Sequence, residues 1–175
     1  QNDSFKSVSK YFDRITRPEQ ILTSLPQAIN VMLDPADCGP AVISMSQDVQ
    51  GEAYDYPEIF FEERIHEIRR IYPDPNQIKT AADQIKSSKQ PIIISGGGVL
   101  YSESEEELSN FAKKHNIPVT ATAMGIGCMT KDDPYYIGGI GGLGERSANN
   151  LSKETDLALA IGTKLADFTT GSWAN

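Results

Sequence analysis

The stretch Pro91-Ile92-Ile93-Ile94-Ser95-Gly96-Gly97-Gly98 decides the fold class of this chain. An apolar run of strand length without polar alternation is typical of a strand buried on both faces, as in a parallel sheet. The glycines that follow predict a tight turn, because glycine adopts positive φ without steric cost. We therefore expect a buried strand at 91–95 that leads through a glycine turn into a helix.

Strands and helices alternate along the rest of the chain. The patterns predict helices after Asp74-Pro75, at about 103–115 and at about 145–154, and further strands at 117–122, 135–137 and 156–161. Such alternation over short connections predicts a parallel sheet with helices on both faces. Residues 74–175 are therefore predicted to form a three-layer α/β domain of the dinucleotide-binding type. No stop signal follows Trp173, so we expect this domain to be truncated at its C-terminus, with at least one more strand beyond.

Residues 1–53 are predicted to be the remnant of a preceding domain. Apolar residues at helical spacing predict a helix over 4–15. Pro18 predicts the start of a second helix, because proline at the first helical position loses no hydrogen bond, and Pro26 predicts a kink within it. A strand is predicted at 41–45, which makes the remnant helix, helix and strand. A loop at 47–57 follows, and residues 54–73 are predicted to be a linker.

The composition excludes several classes of function. The chain has 175 residues, 39% of them hydrophobic, and a net charge of −8, so it lacks the basic character of a nucleic-acid binder. No apolar run approaches the roughly 20 residues of a membrane-spanning helix. The cysteines and histidines are too dispersed for a zinc-type site: Cys38, Cys128, His66 and His115. Two unpaired cysteines indicate a reduced, cytoplasmic protein.

The densest acidic stretch has a structural explanation. Glu103, Glu105, Glu106 and Glu107 fall at the start of the helix predicted over 103–115, and Lys113, Lys114 and His115 fall at its end. Negative charge near a helix N-terminus and positive charge near its C-terminus both favour the helix dipole. The cluster therefore indicates helix stabilisation and not a binding site.

Gly139-Ile140-Gly141-Gly142-Leu143-Gly144 matches the spacing G-x-G-x-x-G. In dinucleotide-binding folds these glycines let the backbone approach a pyrophosphate at a helix N-terminus. The acidic residue expected about 20 positions later is not at the end of the next strand, since Asp167 lies further into the loop. The glycines could equally provide close packing of helix on strand, so both interpretations stay open.

Gly96, Gly97 and Gly98 follow a strand at its carboxyl end, which is the edge where open α/β sheets bind ligands. A turn that needs positive φ accounts for them equally well. The candidate cofactor-binding residues are therefore Gly96, Gly97, Gly98, Gly139, Gly141 and Gly144. The residue patterns support no catalytic set, because neither histidine has a nucleophile or carboxylate partner nearby in sequence.

Several strings resemble the thiamin-diphosphate-dependent enzymes. Arg17-Pro18-Glu19-Gln20, Gly39-Pro40-Ala41-Val42-Ile43 and Gln47-Asp48-Val49-Gln50 are similar to the end of the pyrimidine-binding domain of that family. The stretches 91–98 and 159–171 are similar to its central domain. The resemblance covers essentially the whole chain, and it implies that residues 1–53 end the first domain and that 74–175 belong to the second.

Two strings point to a narrower branch, whose members open a cyclic dione by hydrolysis in inositol breakdown. They are 47–57, Gln-Asp-Val-Gln-Gly-Glu-Ala-Tyr-Asp-Tyr-Pro, and 168–174, Phe-Thr-Thr-Gly-Ser-Trp-Ala. The opening stretch 5–11 is also similar. Acetolactate synthases typically have Pro-Lys where this chain has Ser46-Gln47, which disfavours that activity.

The resemblance also implies cofactors that this chain would not hold alone. Members use thiamin diphosphate with Mg²⁺, held by a Gly-Asp-Gly segment that does not occur here, and a glutamate that would lie upstream of Gln1. The resemblance therefore implies no catalytic residue and no metal ligand within this chain. Some members bind FAD or ADP in the central domain, but a hydrolytic ring opening has no redox step. The implied parent enzyme is a homo-oligomer, dimer or tetramer, that acts on a small molecule.

Overall fold

The computed structural model describes residues 2–174, which divide into two compact units, Gln1–Pro73 and Asp74–Asn175. The elements of the first unit are a 3₁₀ helix at Asn2–Val8, strand β1 at Tyr11–Ile15, a 3₁₀ turn at Pro18–Gln20, helix α1 at Ile21–Met32, strand β2 at Ala41–Met45, the one-turn helix α2 at Gln47–Gln50 and a 3₁₀ turn at Glu58–Phe60. The last part of this unit, residues 61–73, has no helix or strand and is exposed.

The regular part of the first unit is a βαβ motif. Strands β1 and β2 pair in parallel, from Tyr11 opposite Ala41 to Ile15 opposite Met45. Helix α1 connects them and packs against both strands, with Ser24 and Ala28 buried along one face. Ile15 is completely buried, so this small sheet has a core of its own.

The helix predicted over 4–15 is wrong in its second half, where the structure has β1. Tyr11, Phe12 and Ile15 fit a helical stripe, but aromatic and β-branched residues also favour strands. Pairing with β2 decides between the two, because it satisfies the backbone groups of residues 11–15. The remnant predicted as helix, helix and strand is therefore strand, helix and strand, preceded by a 3₁₀ helix.

The predicted start of the second helix is confirmed. Pro18 is the first residue of a 3₁₀ turn that runs directly into α1, and it is buried. The side-chain oxygen of Gln20 accepts hydrogen bonds from the backbone N–H of Thr16 at 2.7 Å and of Arg17 at 3.0 Å. The Gln20 side chain therefore caps the helix start by accepting from two backbone N–H groups that precede it. Pro26 lies inside the single helix α1.

The second unit alternates helices and strands as the sequence predicts. Its elements are α3 at Pro75–Ser87, β3 at Pro91–Ser95, α4 at Gly97–Tyr101, α5 at Glu105–His115, β4 at Val119–Ala121, a 3₁₀ turn at Ala123–Gly125, β5 at Tyr136–Gly139, α6 at Arg146–Glu154, β6 at Leu157–Ile161 and α7 at Asp167–Thr170. The four strands pair in parallel in the order β5-β4-β3-β6. The predicted α/β class with a parallel sheet and helices is confirmed.

The centre of this sheet is buried on both faces. Ile93 and Val119 pack on one face against Leu108 and Ala112 of α5. Ile92, which points to the opposite face by strand alternation, is also completely buried. Burial on both faces explains why β3 is apolar at successive positions and does not alternate.

Helix α5 bears out the electrostatic interpretation of the acidic stretch. Glu105, Glu106 and Glu107 occupy its first turn, and Lys113, Lys114 and His115 its last. The helix ends at Asn116, which adopts the left-handed conformation at φ 55°. Asparagine is one of the few residues that tolerate this conformation at a helix end. Among residues 2–174, no helix has the length and apolar character needed to cross a bilayer.

Asp156 fastens the start of β6 to the loop before β3. Its carboxylate accepts hydrogen bonds from the Ser88 hydroxyl, from the Lys89 N–H at 2.7 Å and from the Gln90 N–H at 2.9 Å. These donors stabilise the ionised form and lower the pKa of Asp156 to about 2, the Ser88 hydroxyl contributing most. The charged carboxylate therefore links the ends of two neighbouring strands.

We expect Asp156→Asn to lower the melting temperature of the chain at neutral pH. The melting temperature of the variant should also fall less steeply between neutral and acidic pH than that of the wild type. Because the folded-state pKa is depressed, the stabilisation is fully present above the ordinary pKa near 4 and is lost as pH falls toward 2. The melting-temperature gap between wild type and variant should therefore narrow between about pH 4 and pH 2. Circular dichroism melts along this pH series measure it, with Asp132→Asn as the exposed control. A gap that stays constant down to pH 2 contradicts the assignment.

Candidate functional site

The carboxyl edge of the four-stranded sheet carries every candidate residue that the sequence singles out. From β3 the chain adds β4 and then β5 on one side, and it returns to place β6 on the other side of β3. The strand order therefore reverses between β3 and β6. In open α/β sheets the crevice at such a reversal, beyond the carboxyl ends of the strands, is the usual ligand-binding position.

At this reversal the backbone that follows β3 packs directly against the backbone that follows β6. The Gly96 N–H donates to the carbonyl oxygen of Ile161, and the Gly98 N–H donates to that of Gly162, each at 2.9 Å. A Cβ on Gly96 would lie 2.3 Å from the Gly162 oxygen, and a Cβ on Gly98 would lie 2.6 Å from the Gly162 Cα. Glycine is required at these positions by close approach.

The tight turn predicted at Gly96–Gly98 is wrong. Gly96 has φ −112° and precedes α4, which begins at Gly97, and none of the three glycines has positive φ. The strand passes straight into a short helix, so these glycines serve the contact with Gly162. Positive φ occurs instead at Gly162, at 61°.

A cleft of about 380 Å³ opens beside this contact. Its lining residues come from the segments after β3, β4 and β6: Gly97, Gly98, Tyr101, Thr122, Met124, Gly162, Thr163, Lys164, Ala166 and Thr169. Lys164 is the only charged residue among the described residues that line it, and Tyr101 and Met124 are largely exposed. The cleft thus combines apolar walls with hydroxyls and one cation, which suits a ligand with an aromatic or apolar part.

The second glycine stretch forms a separate turn after β5. The side-chain oxygen of Asn149 accepts from the Gly141 N–H and its amide nitrogen donates to the Gly141 oxygen, both at 2.9 Å. The Gly142 N–H donates to the Phe168 carbonyl at 2.8 Å. The Glu145 N–H donates to the Gly139 carbonyl, also at 2.8 Å. This turn is therefore bonded to helix α6 and to helix α7.

The structure does not bring the two glycine stretches together into one site. Strand β4 lies between β3 and β5, which separates the two turns by two strand spacings, roughly 10 Å. Gly96 to Gly98 adjoin the cleft, whereas Gly139, Gly141 and Gly144 contribute nothing to its lining. The connection between them is α7, whose Thr169 lines the cleft and whose Phe168 carbonyl binds Gly142.

Burial or packing restrains three titratable side chains of this unit, those of Cys128, Tyr136 and His115. Burial raises the pKa of the Cys128 thiol, which keeps it neutral, and the Ser95 hydroxyl beside it is also completely buried. Burial raises the pKa of Tyr136 as well. The His115 ring packs on Phe111, 4.6 Å between centroids. A thiol held neutral by burial is a weak nucleophile, so Cys128 is a poor candidate for nucleophilic catalysis.

Sequence reasoning missed the residues that complete the cleft. Tyr101, Met124 and Thr163 lie in three segments that are far apart in sequence. Gly162 directly follows β6, and this position was the available signal, since a glycine at the carboxyl end of a strand marks the ligand-binding edge. Its pairing with Gly98 depends on β6 lying beside β3, which local patterns do not encode.

Residues 78–175 match the sequence model described as "Thiamine pyrophosphate enzyme, central domain". The chain belongs to the thiamine pyrophosphate enzyme family. It is also 47% identical over 171 residues, 98% of its length, to 3D-(3,5/4)-trihydroxycyclohexane-1,2-dione hydrolases of Bacillus thuringiensis strain Al Hakam and Clostridium perfringens strain 13. The family predicted from the sequence strings is therefore confirmed.

A solved structure supports the fold across both units. It is the X-ray structure of an enzyme from Mycobacterium smegmatis assigned to the thiamin diphosphate-dependent class, with a TM-score of 0.73 and 22% identity. The match covers 95% of this chain and 31% of that one. The chain spans 27% of the length of the hydrolases it matches.

The described residues do not fit the family's cofactor. Magnesium bound to a diphosphate takes carboxylate, carbonyl and water oxygens as ligands, and the cleft lining has no carboxylate. Within residues 2–174, no group of three or more His, Cys, Asp or Glu side chains is placed to hold a metal ion. We therefore assign no step of thiamin chemistry to these residues.

We expect Gly98→Ala to destabilise the chain by about 2 kcal/mol or more, because the added Cβ would overlap the Gly162 backbone. The gain in helix propensity from alanine in α4, up to about 1 kcal/mol, is smaller than this cost. Urea unfolding measures the difference. Gly142→Ala is the matched control, since its Cβ would meet nothing nearer than 4.0 Å, and we expect a change within about 0.5 kcal/mol. Equal effects of the two substitutions contradict the packing argument.

Proposed function

We propose that this chain is part of a thiamin-diphosphate-dependent hydrolase that opens the ring of a trihydroxycyclohexane-dione in myo-inositol degradation. The observation that carries the proposal is 47% identity to two such hydrolases over 98% of the chain. The identity extends through both units, so it is not a likeness of the central domain alone. Similarity of this extent across a family with several activities favours a shared substrate.

The string 46–50 supports the same branch of the family. It reads Ser-Gln-Asp-Val-Gln, where acetolactate synthases typically have Pro-Lys before Asp-Val-Gln. Residues 47–50 form helix α2, which buries Val49 and exposes Gln47 and Gln50. Of the two residues that distinguish the branch, Gln47 is therefore exposed on the first unit and Ser46 is partly buried.

We assign residues 1–53 to the end of the pyrimidine-binding domain, 54–73 to a linker and 74–175 to the central domain. The βαβ motif of the first unit supports the first assignment, since parallel strands joined by a helix are typical of nucleotide- and cofactor-binding α/β domains. Residues 61–73 have no helix or strand and are exposed throughout, which supports a linker.

Thiamin diphosphate, when bound, supplies a nucleophilic carbon and an electron sink for cleavage of a carbon–carbon bond. In the proposed parent it is held with Mg²⁺ outside this chain, and the chain itself has a structural and inter-domain role. We place the parent in the cytoplasm as a homo-oligomer that acts on a small molecule. Two free cysteines, Cys38 and Cys128, are consistent with a reducing compartment.

Nucleotide binding is a second candidate function, and the position of the cleft favours it. The cleft lies where the strand order reverses, beside Gly96, Gly97 and Gly98, and Lys164 could pair with a phosphate. The ring-opening reaction gives FAD no redox role. The similar enzymes are named as hydrolases, so we rank this candidate second.

The parent enzyme carrying this chain should hydrolyse the cyclic dione in a reaction that requires thiamin diphosphate and Mg²⁺. Product formation by mass spectrometry, with and without each cofactor, measures this. Pyruvate is the matched control substrate, and we expect no acetolactate from it. Turnover of pyruvate by a well-folded enzyme that leaves the dione unchanged would assign the parent to a different activity.

The 175-residue chain alone should bind neither thiamin diphosphate with Mg²⁺ nor, with micromolar affinity, ADP or FAD. The described lining of the cleft has no carboxylate to hold Mg²⁺, and Lys164 is its single cation for a nucleotide phosphate. Calorimetric titration with each compound measures binding. Micromolar ADP binding that Lys164→Ala weakens severalfold would favour the second candidate. Tight Mg²⁺-dependent binding of thiamin diphosphate would refute the structural role of the chain.

A further inference from the structure

We infer that the turn Gly139–Gly144 is a structural clamp that fastens helix α7 to the sheet, and that it is closed to phosphate despite its G-x-G-x-x-G spacing. The inference concerns only hydrogen bonds and contacts within the second unit. None of these bonds depends on the identity of the substrate. It decides between the two interpretations that the sequence leaves open for this motif.

Four successive or nearby N–H groups of the turn, those of Gly141, Gly142, Gly144 and Glu145, already have acceptors within the protein. Those of Gly141, Gly142 and Gly144 donate to the Asn149 side chain at 2.9 Å, the Phe168 carbonyl at 2.8 Å and the Gly141 carbonyl at 2.9 Å. The Glu145 N–H donates to Gly139. A dinucleotide-binding turn depends on free backbone donors at the helix N-terminus. Here an incoming phosphate would first have to break bonds within the protein.

The space that the second glycine of such a motif leaves for a pyrophosphate is occupied here. A Cβ on Gly141 would lie 1.9 Å from the Phe168 carbonyl oxygen, so α7 fills that space. Gly144 is similarly enclosed, 2.5 Å from the Ile140 carbonyl carbon by the same measure. The absence of side chains at these two positions serves the approach of one backbone to another.

The charge at the start of α6 also opposes an anion. Glu145 is the N-cap residue of this helix, and its carboxylate lies against Gly138, where an added Cβ would be 2.5 Å from the Oε1 atom. A carboxylate near the helix N-terminus interacts favourably with the dipole. The position that would attract a phosphate is therefore already compensated by the protein's own negative charge.

Asn149 gives the turn its link to α6. The paired bonds with the Gly141 N–H and carbonyl imitate the pairing of two strands, because the planar amide side chain of Asn149 presents a donor and an acceptor side by side. Through Gly142 the turn then binds Phe168, and the next residue, Thr169, lines the cleft at the strand-order reversal. The clamp thus sets the position of one wall of that cleft.

Two of the motif glycines, Gly141 and Gly139, provide the test, because the clamp requires a glycine at position 141 and not at position 139. Gly141 has φ 101° and no room, whereas Gly139 lacks positive φ and its added Cβ would meet nothing nearer than 3.7 Å. We expect Gly141→Ala to lower the melting temperature by more than about 5 °C and Gly139→Ala to change it by less than about 2 °C. Comparable losses for the two variants would overturn the clamp.

Two measurements on the unsubstituted chain keep the test independent of folding of the variants. The amide protons of Gly141 and Gly142 should exchange with solvent as slowly as those of the central strands, since both are hydrogen-bonded in the clamp. Their ¹⁵N–¹H resonances should not move when inorganic pyrophosphate is added at millimolar concentration. Rapid exchange, or saturable shifts confined to residues 139–145, would overturn the inference.

Discussion

The contact between Gly98 and Gly162 is the constraint on which the second unit depends. Strands β3 and β6 are neighbours through five paired residues. The segments that follow them are in contact where the strand order of the sheet reverses. Two segments that leave neighbouring strands at the same point clash unless one or both of them have glycine there. With glycine on both sides, α4 can begin at once after β3, and the segment after β6 can turn away to form α7. The cleft lies between these two exits.

Local patterns were sufficient for the strands and the longer helices of this unit, but not for the short helices α4 and α7. The apolar run at 91–95, the Asp74 cap and the charge arrangement of 105–115 each report conditions that hold wherever the element lies. The failure at 11–15 has the opposite cause. Its aromatic and β-branched residues fit both a helix and a strand, and the decision is made by pairing with 41–45, about 30 residues away. Long-range pairing overrides local spacing.

The candidate site was predictable only to the level of an edge. Because parallel strands share one carboxyl edge, the sequence places Gly96–Gly98 and Gly139–Gly144 there correctly. Which segment meets which depends on the strand order, and this order puts β4 between the two stretches. The cleft consequently draws also on Tyr101 and Met124, whose sequence positions give no hint of a common site.

Glycine content alone is therefore a poor guide to nucleotide binding in a fold of this kind. The same absence of side chains lets a backbone approach a pyrophosphate or another backbone, and the sequence pattern is identical in the two cases. What separates them is whether the N–H groups of the turn remain free. In this chain Asn149 and the Phe168 carbonyl accept from Gly141 and Gly142. The hydrogen bonds that hold the turn to α6 and α7 are thus the same bonds that make these two N–H groups unavailable to a phosphate.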